Sequence, residues 1–599
     1  MVVNALHDAH RRPVPGMCRR LAILLVLQLI SGSSPECIAA EQTGPAARAE
    51  VDSVEVVRKE QELALERSDR KFLPFVGKRV GRIRIMTLAV FGPSVDDTTR
   101  VSPSRLARIL NNLNFPSRAT TIRRNLLFKE GDLINALRMA DSERIVRNLA
   151  FIRDARIVVR QNSAAGDSAD VLVIVKEAWN LRLSVSPKTG NGLKVGLTEG
   201  NVLGLGQEVF GALTIVPTVS PRFEGKYSVQ NIRGSFVTGQ VEYVSMPAEK
   251  MTALGLSREP VSSVLGYAGG LDLRRTSIAM ADSTPSGADN ASDLIDVWTG
   301  RQFHLGLRQK GIDRRRILST SARIRSLSFY KRPPVTPSTF SQFHNINYIL
   351  GSLALIQSSY YRTSLLYNFG RTEDVPYGFL ARVTYGLADE EFARKPYASA
   401  TLAAGQKIDR LGYGAGELRI GGNPRAGKLD QGVIRLRTLY FSTLLRAGGY
   451  RFRQFVNAGY TTGIRRPAGD SIGFSGDQSI RGVVYSGSVT GSKSLELSLD
   501  TVAFTPWMVR GVTFAFFTFV DLDIIGSGHR DILAQDYYSG LGLGVRLHRE
   551  AWGIAPIQLR FAWYPRLPVD HNSYSYTAFG EERLRSIEFL GSRPEIVEY

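Results

Sequence analysis

The sequence predicts a mainly β protein, in which an antiparallel barrel crosses a membrane and one small α/β domain precedes the barrel. From residue 181 onward, apolar and polar residues alternate in runs of about ten, the length that a tilted membrane strand needs. Residues 78–180 instead mix helical and strand periods. After residue 40, no apolar stretch reaches the roughly 18 residues expected of a transmembrane helix. With 599 residues, 57 Gly and 26 Pro, the chain is neither low-complexity nor collagen-like.

The first 40 residues predict a secretory signal that is removed on export. Arg19 and Arg20 precede an apolar run at 21–30, and small residues follow up to Ala40. Met17 is a more ordinary start for such a signal than Met1. The two cysteines, Cys18 and Cys37, both lie in this segment, so the exported chain is expected to hold neither a disulfide nor a thiolate metal site.

Residues 41–77 are polar and mixed in charge, typical of a tether or a short exposed helix. The chain carries a formal net charge of +21. For an exported protein, anionic lipid head groups or an acidic protein client explain this excess better than nucleic acid does. We therefore expect lipid and protein partners and no nucleic acid.

The predicted α/β domain spans 78–180. Residues 80–90 alternate as a strand, and a Ser-Pro-Ser sequence before residue 105 indicates the start of a helix over 105–113. A second helix begins near Asp141, with apolar residues at helical spacing. Strands at 155–160 and 170–176 then flank a polar turn.

The predicted barrel spans 181–599 and has about 16 strands. Its runs include 301–309, 362–369, 378–386, 493–503 and 540–549. Alternation also fits a soluble β-sandwich or propeller, but the signal segment and the aromatic residues near strand ends favour a membrane barrel. Two stretches, 245–263 and 274–300, are expected to be long connections. The first strand is expected at 181–187, and the last at 574–579 or 586–590.

Four parts of the sequence resemble the BamA/TamA-like superfamily of outer-membrane assembly and two-partner secretion proteins, the bacterial surface antigen barrels with periplasmic POTRA modules. Phe128 to Glu177 is similar to the second half of a POTRA domain. Glu199 to Gly206 is similar to a glycine-spaced turn near the first barrel strands. Gly476 to Tyr485 resembles the Arg-Gly motif of the long loop folded into the barrel, and Phe519 to Asp523 resembles a closing strand.

The resemblance implies a contact inside the barrel between a loop arginine and a strand aspartate. Arg481 would be held by Asp521, with Glu496 on a neighbouring strand as a second candidate, and Gly482 would allow a tight turn at the loop tip. Because the charges must be desolvated, such a pair would give specificity more than stability. An ordinary solvated loop arginine is the alternative.

The function implied by the resemblance is insertion or translocation of client proteins at the outer membrane, with the POTRA-like domain in the periplasm. Unfolded outer-membrane or secreted proteins, membrane lipids and periplasmic accessory proteins would be the partners, and the first and last strands would open sideways. A passive channel or porin, or a secretion pore with one dedicated partner, are the alternatives. The five histidines after residue 300 show no catalytic or metal-binding spacing, so we expect no enzyme activity, no catalytic residues, no cofactor and no metal.

Overall fold

A computed structural model describes most of the chain after residue 67. The described residues are 68–93, 95, 105–161, 167–188, 192–217, 219–246, 249–279, 289–305, 316–366, 372–467, 470–473, 480–483, 489–528, 531–549, 557–567, 573–578 and 586–598. The predicted signal at 1–40, with Met17, Cys18 and Cys37, therefore lies outside the described residues.

The α/β module, which we define as residues 68–180, is a three-stranded sheet with short helices. Strand β1 is parallel to β3, which lies in the centre, and β2 is antiparallel to β3. Asn135 caps the third helix by accepting hydrogen bonds from the backbone N–H groups of Leu137 and Arg138. The elements are a 3-10 helix at Arg70–Phe75, β1 at Arg79–Leu88, α1 at Arg105–Leu113, α2 at Ala119–Arg123, α3 at Ala136–Arg147, β2 at Ile152–Gln161 and β3 at Ser168–Glu177.

The three predicted strands and the helix over 105–113 are confirmed. The second helix does not begin near Asp141: it begins at Ala136, where Asn135 caps it, and ends at Arg147.

The module also begins before residue 78. Phe72 is only 1% exposed and belongs to the apolar core of the module, and Lys71 forms an ion pair with Glu143 on α3. The end of the polar segment 41–77 is thus part of the folded module. A single buried aromatic ring in a charged stretch gives little periodic signal, which is why the sequence pattern missed it.

Most of the described residues from 181 onward form one large antiparallel sheet. Its first strands are β4 at Leu181–Lys188, β5 at Gly192–Glu199, β6 at Gln207–Val216, β7 at Val219–Val229, β8 at Thr238–Ser245, β9 at Glu249–Arg258, β10 at Tyr267–Ile278, β11 at Asn290–Leu305, β12 at Arg316–Lys331 and β13 at Ile346–Thr363. The later strands are β14 at Glu373–Glu390, β15 at Ala393–Ile408, β16 at Gly412–Arg425, β17 at Lys428–Ser442, β18 at Leu445–Ala447, β19 at Tyr450–Ile464, β22 at Lys493–Val509, β23 at Val512–Gly526, β24 at Asp536–His548, β25 at Ile557–Arg566 and β26 at Tyr574–Ala578. Two short strands, β20 at Ile472–Gly473 and β21 at Thr490–Gly491, pair with each other in the long loop between β19 and β22.

Among the described residues this sheet has twenty strands when β17 and β18, which pair successively with β19, count as one. The prediction of about 16 strands is therefore wrong. The two predicted long connections are also wrong, because 245–263 contains β9, and 274–300 contains the end of β10 and the start of β11. In β9 the outward residues Leu254 and Leu256 alternate with small residues, a weak apolar pattern. In β10, Arg275 lies directly opposite Asp293 and bonds to it, which lets charged residues continue a strand.

The strand order is that of a closed barrel, in which β26 is followed by β4. We call the junction between β26 and β4, the last and the first strand of the barrel among the described residues, the seam. The last strand lies at 574–578, the first of the two predicted positions. Residues 586–590, the other one, are not a strand.

The helices of the described residues are all too short and too polar to span a membrane.

Candidate functional site

The large sheet has an apolar outer face and a polar inner face. On β14, Val383 is 61% exposed and Tyr385 points the same way, whereas Thr384 between them is fully buried and Arg382 nearly so. On the paired strands, Leu353 and Leu402 also lie on the outer face. A soluble sheet buries its apolar face, so this arrangement is that of a barrel surrounded by lipid with a polar interior.

Arg481 lies inside the barrel at the tip of the long loop and is held by Asp521. Its Nε donates to Asp521 Oδ2 at 2.9 Å and a terminal nitrogen donates to Oδ1 at 2.6 Å, so the pair is bidentate. The backbone N–H of Arg481 also donates to Asp521, at 3.1 Å. Both side chains are buried. The arrangement brings together the two residues that the loop motif singled out.

The second carboxylate on Arg481 is Asp500, which the sequence analysis did not single out. A terminal nitrogen of Arg481 donates to Asp500 Oδ1 at 2.5 Å, and the other donates to Ser498 Oγ at 2.8 Å. Glu496, the predicted second partner, lies on the same strand and directly opposite Asp523. Glu496 and Asp500 are four residues apart on one face of β22, so the sequence alone could not decide which of them reaches the loop.

Two aromatic residues complete this contact, and neither was predicted. The guanidinium of Arg481 lies over the ring of Phe519, 4.1 Å from its centre. Tyr564 on β25 donates its hydroxyl to the carbonyl oxygen of Arg481 at 2.7 Å. Gly482 has a φ of +87°, and a Cβ there would lie 2.5 Å from that hydroxyl, so glycine is required by both conformation and space.

Two turns with the same geometry join the α/β module to the first strands of the sheet. In the β5–β6 connection, Asn201 accepts from the N–H of Gly206, and Gly204 accepts from Thr121 on α2. In the β7–β8 connection, Asn231 donates to the carbonyl of Arg124 and accepts from the N–H of Phe236. The two turns thus bind both ends of α2. The sequence motif at 199–206 indicated only the first of them.

A buried charged cluster joins α3 to β13 and β14. Arg147 donates to Glu143 at 2.7 Å, to Asp154 at 3.1 Å and to Asp374 at 2.5 Å. Burial alone would raise the pKa of the Glu143 carboxyl, but Lys71, Arg147 and the neighbouring Arg362 outweigh it and lower that pKa to about 2. The Glu143 carboxylate therefore stays ionised over the physiological pH range.

The end of β3 carries a buried carboxyl, that of Glu177, whose pKa is shifted in the opposite direction from that of Glu143. Glu177 is held by the N–H of Ser117 at 2.9 Å and by its hydroxyl at 3.1 Å. Ser117 Oγ in turn accepts from Asn201 of the β5–β6 turn. Burial raises the pKa of the Glu177 carboxyl to about 7, because these neutral donors compensate only part of the desolvation.

We therefore expect the module to lose stability as the pH rises through neutrality. A carboxyl whose pKa is about 7 when folded and 4.5 when unfolded contributes fully below about pH 4.5 and loses its contribution, roughly 3 kcal/mol, as the pH rises to about 7. Glu177→Gln should abolish this loss. The measurement is amide hydrogen exchange of β3 in the detergent-solubilised full chain, corrected for the intrinsic pH dependence of exchange. An equal pH dependence in both proteins would contradict the assignment.

The edge strand β2 is partly closed by the module's own side chains. Glu143 accepts from the backbone N–H of Ile157 at 2.7 Å, and Lys71 donates to the carbonyl of the same residue at 3.2 Å. Arg147 donates to the carbonyl of Ala155. On this edge of the sheet, the open part is therefore restricted to the residues of β2 beyond Ile157.

Residues 586–598, which we call the luminal segment, lie inside the barrel. Ile587 and Phe589 belong to the same apolar cluster as Ile480 of the long loop, and Phe589 is fully buried. Further along, Ser592, Glu595 and Val597 contact inward-facing residues of β11 to β16. This polar stretch has no alternating pattern, and its place in the barrel was not predicted.

No cluster of three or more potential metal ligands occurs among the described residues. The sequence matches no family model and no curated protein.

Solved structures similar to this chain come from two kinds of protein. CdiB from Escherichia coli matches at 11% identity over 95% of this chain and 100% of that chain, with a TM-score of 0.41. CdiB from Acinetobacter baumannii matches at 11% identity over 90% and 98%, with a TM-score of 0.32. A BamA from Haemophilus ducreyi lacking POTRA domains 1–3 matches at 10% identity over 93% and 97%, with a TM-score of 0.33.

Proposed function

We propose that this protein is an outer-membrane barrel that assists the insertion or translocation of client proteins by opening at its seam. The observation that carries the proposal is the short ladder beside the seam. Among the described residues, β26 has five residues and pairs with β25 at five positions, whereas β13 and β14 pair at eighteen. Because each ladder position contributes hydrogen bonds and side-chain contacts, the sheet is weakest there.

The membrane location is supported by the polarity of the two faces. Outward-facing leucine, valine and aromatic residues cover β11 to β16, and inward-facing serine, threonine and charged residues line the interior. The predicted signal and the net charge of +21 fit an exported protein that contacts anionic lipid head groups. In this orientation, the rim that contacts the α/β module faces the periplasm.

The α/β module, which we propose to be POTRA-like, is the proposed docking place for an extended client segment. Main-chain hydrogen bonds to a strand edge tolerate many client sequences. The part of β2 beyond Ile157 is the candidate edge, since Glu143, Lys71 and Arg147 close the preceding part.

Arg481 and Asp521, with Gly482 and Asp500, are proposed to fix the long loop to the inner wall while the seam opens. Glu496 would contribute to the negative charge of that wall. A passive channel, the rival function, gains nothing from such a loop contact and needs an open interior. Here the long loop and the luminal segment share one apolar cluster inside the barrel.

The first test is quantitative proteomics of outer membranes and culture fluid from cells depleted of this protein, together with uptake of a small hydrophilic solute. Broad loss of other barrels would support an insertase, and loss of one secreted protein a dedicated secretion pore. If protein levels hold and only solute uptake falls, the protein is a channel and the proposal is wrong.

A disulfide across the seam is expected to stop client handling. The exported chain is expected to be thiol-free, so cysteine pairs joining 574–578 to 181–184 can be screened for cross-linking. The cross-linked pair should lose client insertion under oxidising conditions and regain it on reduction. The control joins Ser352→Cys and Thr384→Cys, which lie directly opposite each other on β13 and β14. Undiminished insertion by the oxidised seam pair would contradict lateral opening.

A further inference from the structure

The luminal segment is held along its length by side chains of the inner wall. Ser592 Oγ accepts from Gln302 at 3.1 Å and from Ser319 at 3.0 Å. The carbonyl oxygen of Pro594 accepts from Arg323 at 2.8 Å, and the backbone N–H of Val597 donates to the hydroxyl of Tyr397 at 2.7 Å. These bonds join the segment to β11, β12 and β15 without forming a β-ladder.

The strongest of these contacts surround the Glu595 carboxylate. Arg419 donates to Oε1 at 2.6 Å, and Thr401 and Arg382 donate to Oε2 at 2.6 and 3.2 Å. The carbonyl oxygen of Glu595 accepts from Ser399 at 3.0 Å. Three neighbouring strands, β14 to β16, thus supply a two-cation site for one carboxylate.

Charges of both signs face this part of the wall. Arg419 also bonds to Glu417 at 2.8 Å, and Arg323 pairs with Asp296. Asp296 receives a second cation, Arg593, from the luminal segment itself. In the described ion pairs, the carboxylate that binds Arg382 is that of Glu595. The wall therefore recognises an acidic residue two positions after a basic one, Glu595 after Arg593, rather than negative charge alone.

Two glycines leave space for the side chains of the luminal segment. A Cβ on Gly421 would lie 2.8 Å from Val597, and a Cβ on Gly405 would lie 2.7 Å from Phe589. Real Cβ atoms do not approach other atoms so closely, so the luminal segment fits against the wall only if both wall residues are glycine. By contrast, the nearest heavy atom to a Cβ on Gly416, which points the other way from the same strand, is at 3.9 Å.

We propose that the inner wall of β11 to β16 is a binding site for an extended, acidic chain segment, and that residues 586–598 are its resident occupant. The occupant is displaceable because individual side-chain hydrogen bonds and ion pairs, each worth little net free energy, hold most of its polar atoms in place of a β-ladder. A client segment of the same chemistry can replace it, which makes the site a checkpoint in the interior. This inference rests on the proposed membrane barrel, but not on the identity of the client.

A cross-linking experiment tests the position of the luminal segment on the inner wall. Ser319→Cys with Ser592→Cys joins two side chains whose hydroxyls are 3.0 Å apart and should form a disulfide in the full chain in outer membranes. The control replaces Ser319→Cys by Thr320→Cys. Thr320 lies opposite the outward-facing Leu353, so that pair should stay reduced. Equal cross-linking of both pairs, or of neither, would overturn the proposal.

A binding experiment tests the recognition of the acidic residue. A fluorescent peptide of residues 586–599 should bind the barrel from which 586–599 has been deleted, and the Glu595→Gln peptide should bind about tenfold more weakly, as the loss of one charge-assisted contact predicts. Equal affinities would overturn the proposal. Heat-modifiable migration in gels shows whether the deleted barrel is folded.

If the deletion prevents folding, the full chain provides the same test. Gly421→Leu fills the space of Val597 and should make the thiol of Ser592→Cys reactive toward a membrane-impermeant maleimide, whereas Gly416→Leu should leave it protected. Protection in both proteins would overturn the proposal. If the peptide binds but the protein has no effect on client insertion, the proposed function is wrong, whereas the proposed binding site is supported.

Discussion

Arg481→Ala is expected to lower the free energy of unfolding of the barrel by about 3–5 kcal/mol, because it leaves a buried carboxylate without its cation. Asp521 is fully buried, and Arg481 gives it three hydrogen bonds with its side chain and one with its backbone. The same change removes the donor to Asp500 and the cation from the face of Phe519. Client handling should fall, while delivery to the membrane persists.

The measurement is urea unfolding of the folded barrel, followed by gel migration, with client insertion assayed in parallel. Arg465→Ala is the matched control. Arg465 lies at the start of the same long loop and its ion pair with Asp430 is about half exposed, so its loss should cost at most about 1 kcal/mol. Arg481→Lys should fall between wild type and alanine, since an ammonium cannot make the bidentate contact. Wild-type unfolding and activity in Arg481→Ala would show that the loop contact is dispensable.

Arg147→Ala is expected to destabilise the junction between the α/β module and the barrel by a similar amount, about 3–5 kcal/mol. Arg147 is the one residue of α3 that bonds to Glu143, Asp154 and the barrel residue Asp374 in the described hydrogen bonds. Without it, Asp374 faces α3 with no cation from the module among its described ion pairs. The junction is then expected to open before the module or the barrel unfolds.

Limited proteolysis of the full chain in detergent measures this effect, because an opened junction exposes the connection between β3 and β4. Arg138→Ala is the control, since Arg138 lies on the exposed side of the same helix. Cleavage near residue 180 should be faster in Arg147→Ala than in wild type and unchanged in Arg138→Ala. Equal cleavage rates in all three proteins would show that the two asparagine turns suffice to hold the module.

The sequence predicted the class of the fold because the two halves of the chain have different periods. The helix over 105–113 and the strand beginning near residue 80 follow local propensity and were placed closely. The strand count failed where the pattern is weak. In β9, Ala253, Gly255 and Ser257 occupy inner positions, and among the outer positions only Leu254 and Leu256 are strongly apolar. A membrane strand of this kind gives little signal per segment.

The site was predicted only as far as sequence motifs extend. The contact of Arg481 with Asp521 followed from a motif at each end. Asp500 and Tyr564 could not be found, because their approach depends on the register of β22 to β25 and on the path of the loop. The luminal segment was missed for a related reason: its conformation is set by the wall it lies on, and an extended segment without a ladder has no period of its own.

The two asparagine turns also couple the orientation of the α/β module to the seam. They attach α2 to the β5–β6 and β7–β8 connections, on one side of the seam. Arg153 of the same module bonds to His548 at the end of β24, on the other side, at 2.9 Å. The α/β module therefore links the two sides of the barrel seam. If the seam widens, the module must either tilt or lose its bond to His548, so the orientation of the module and the width of the seam change together.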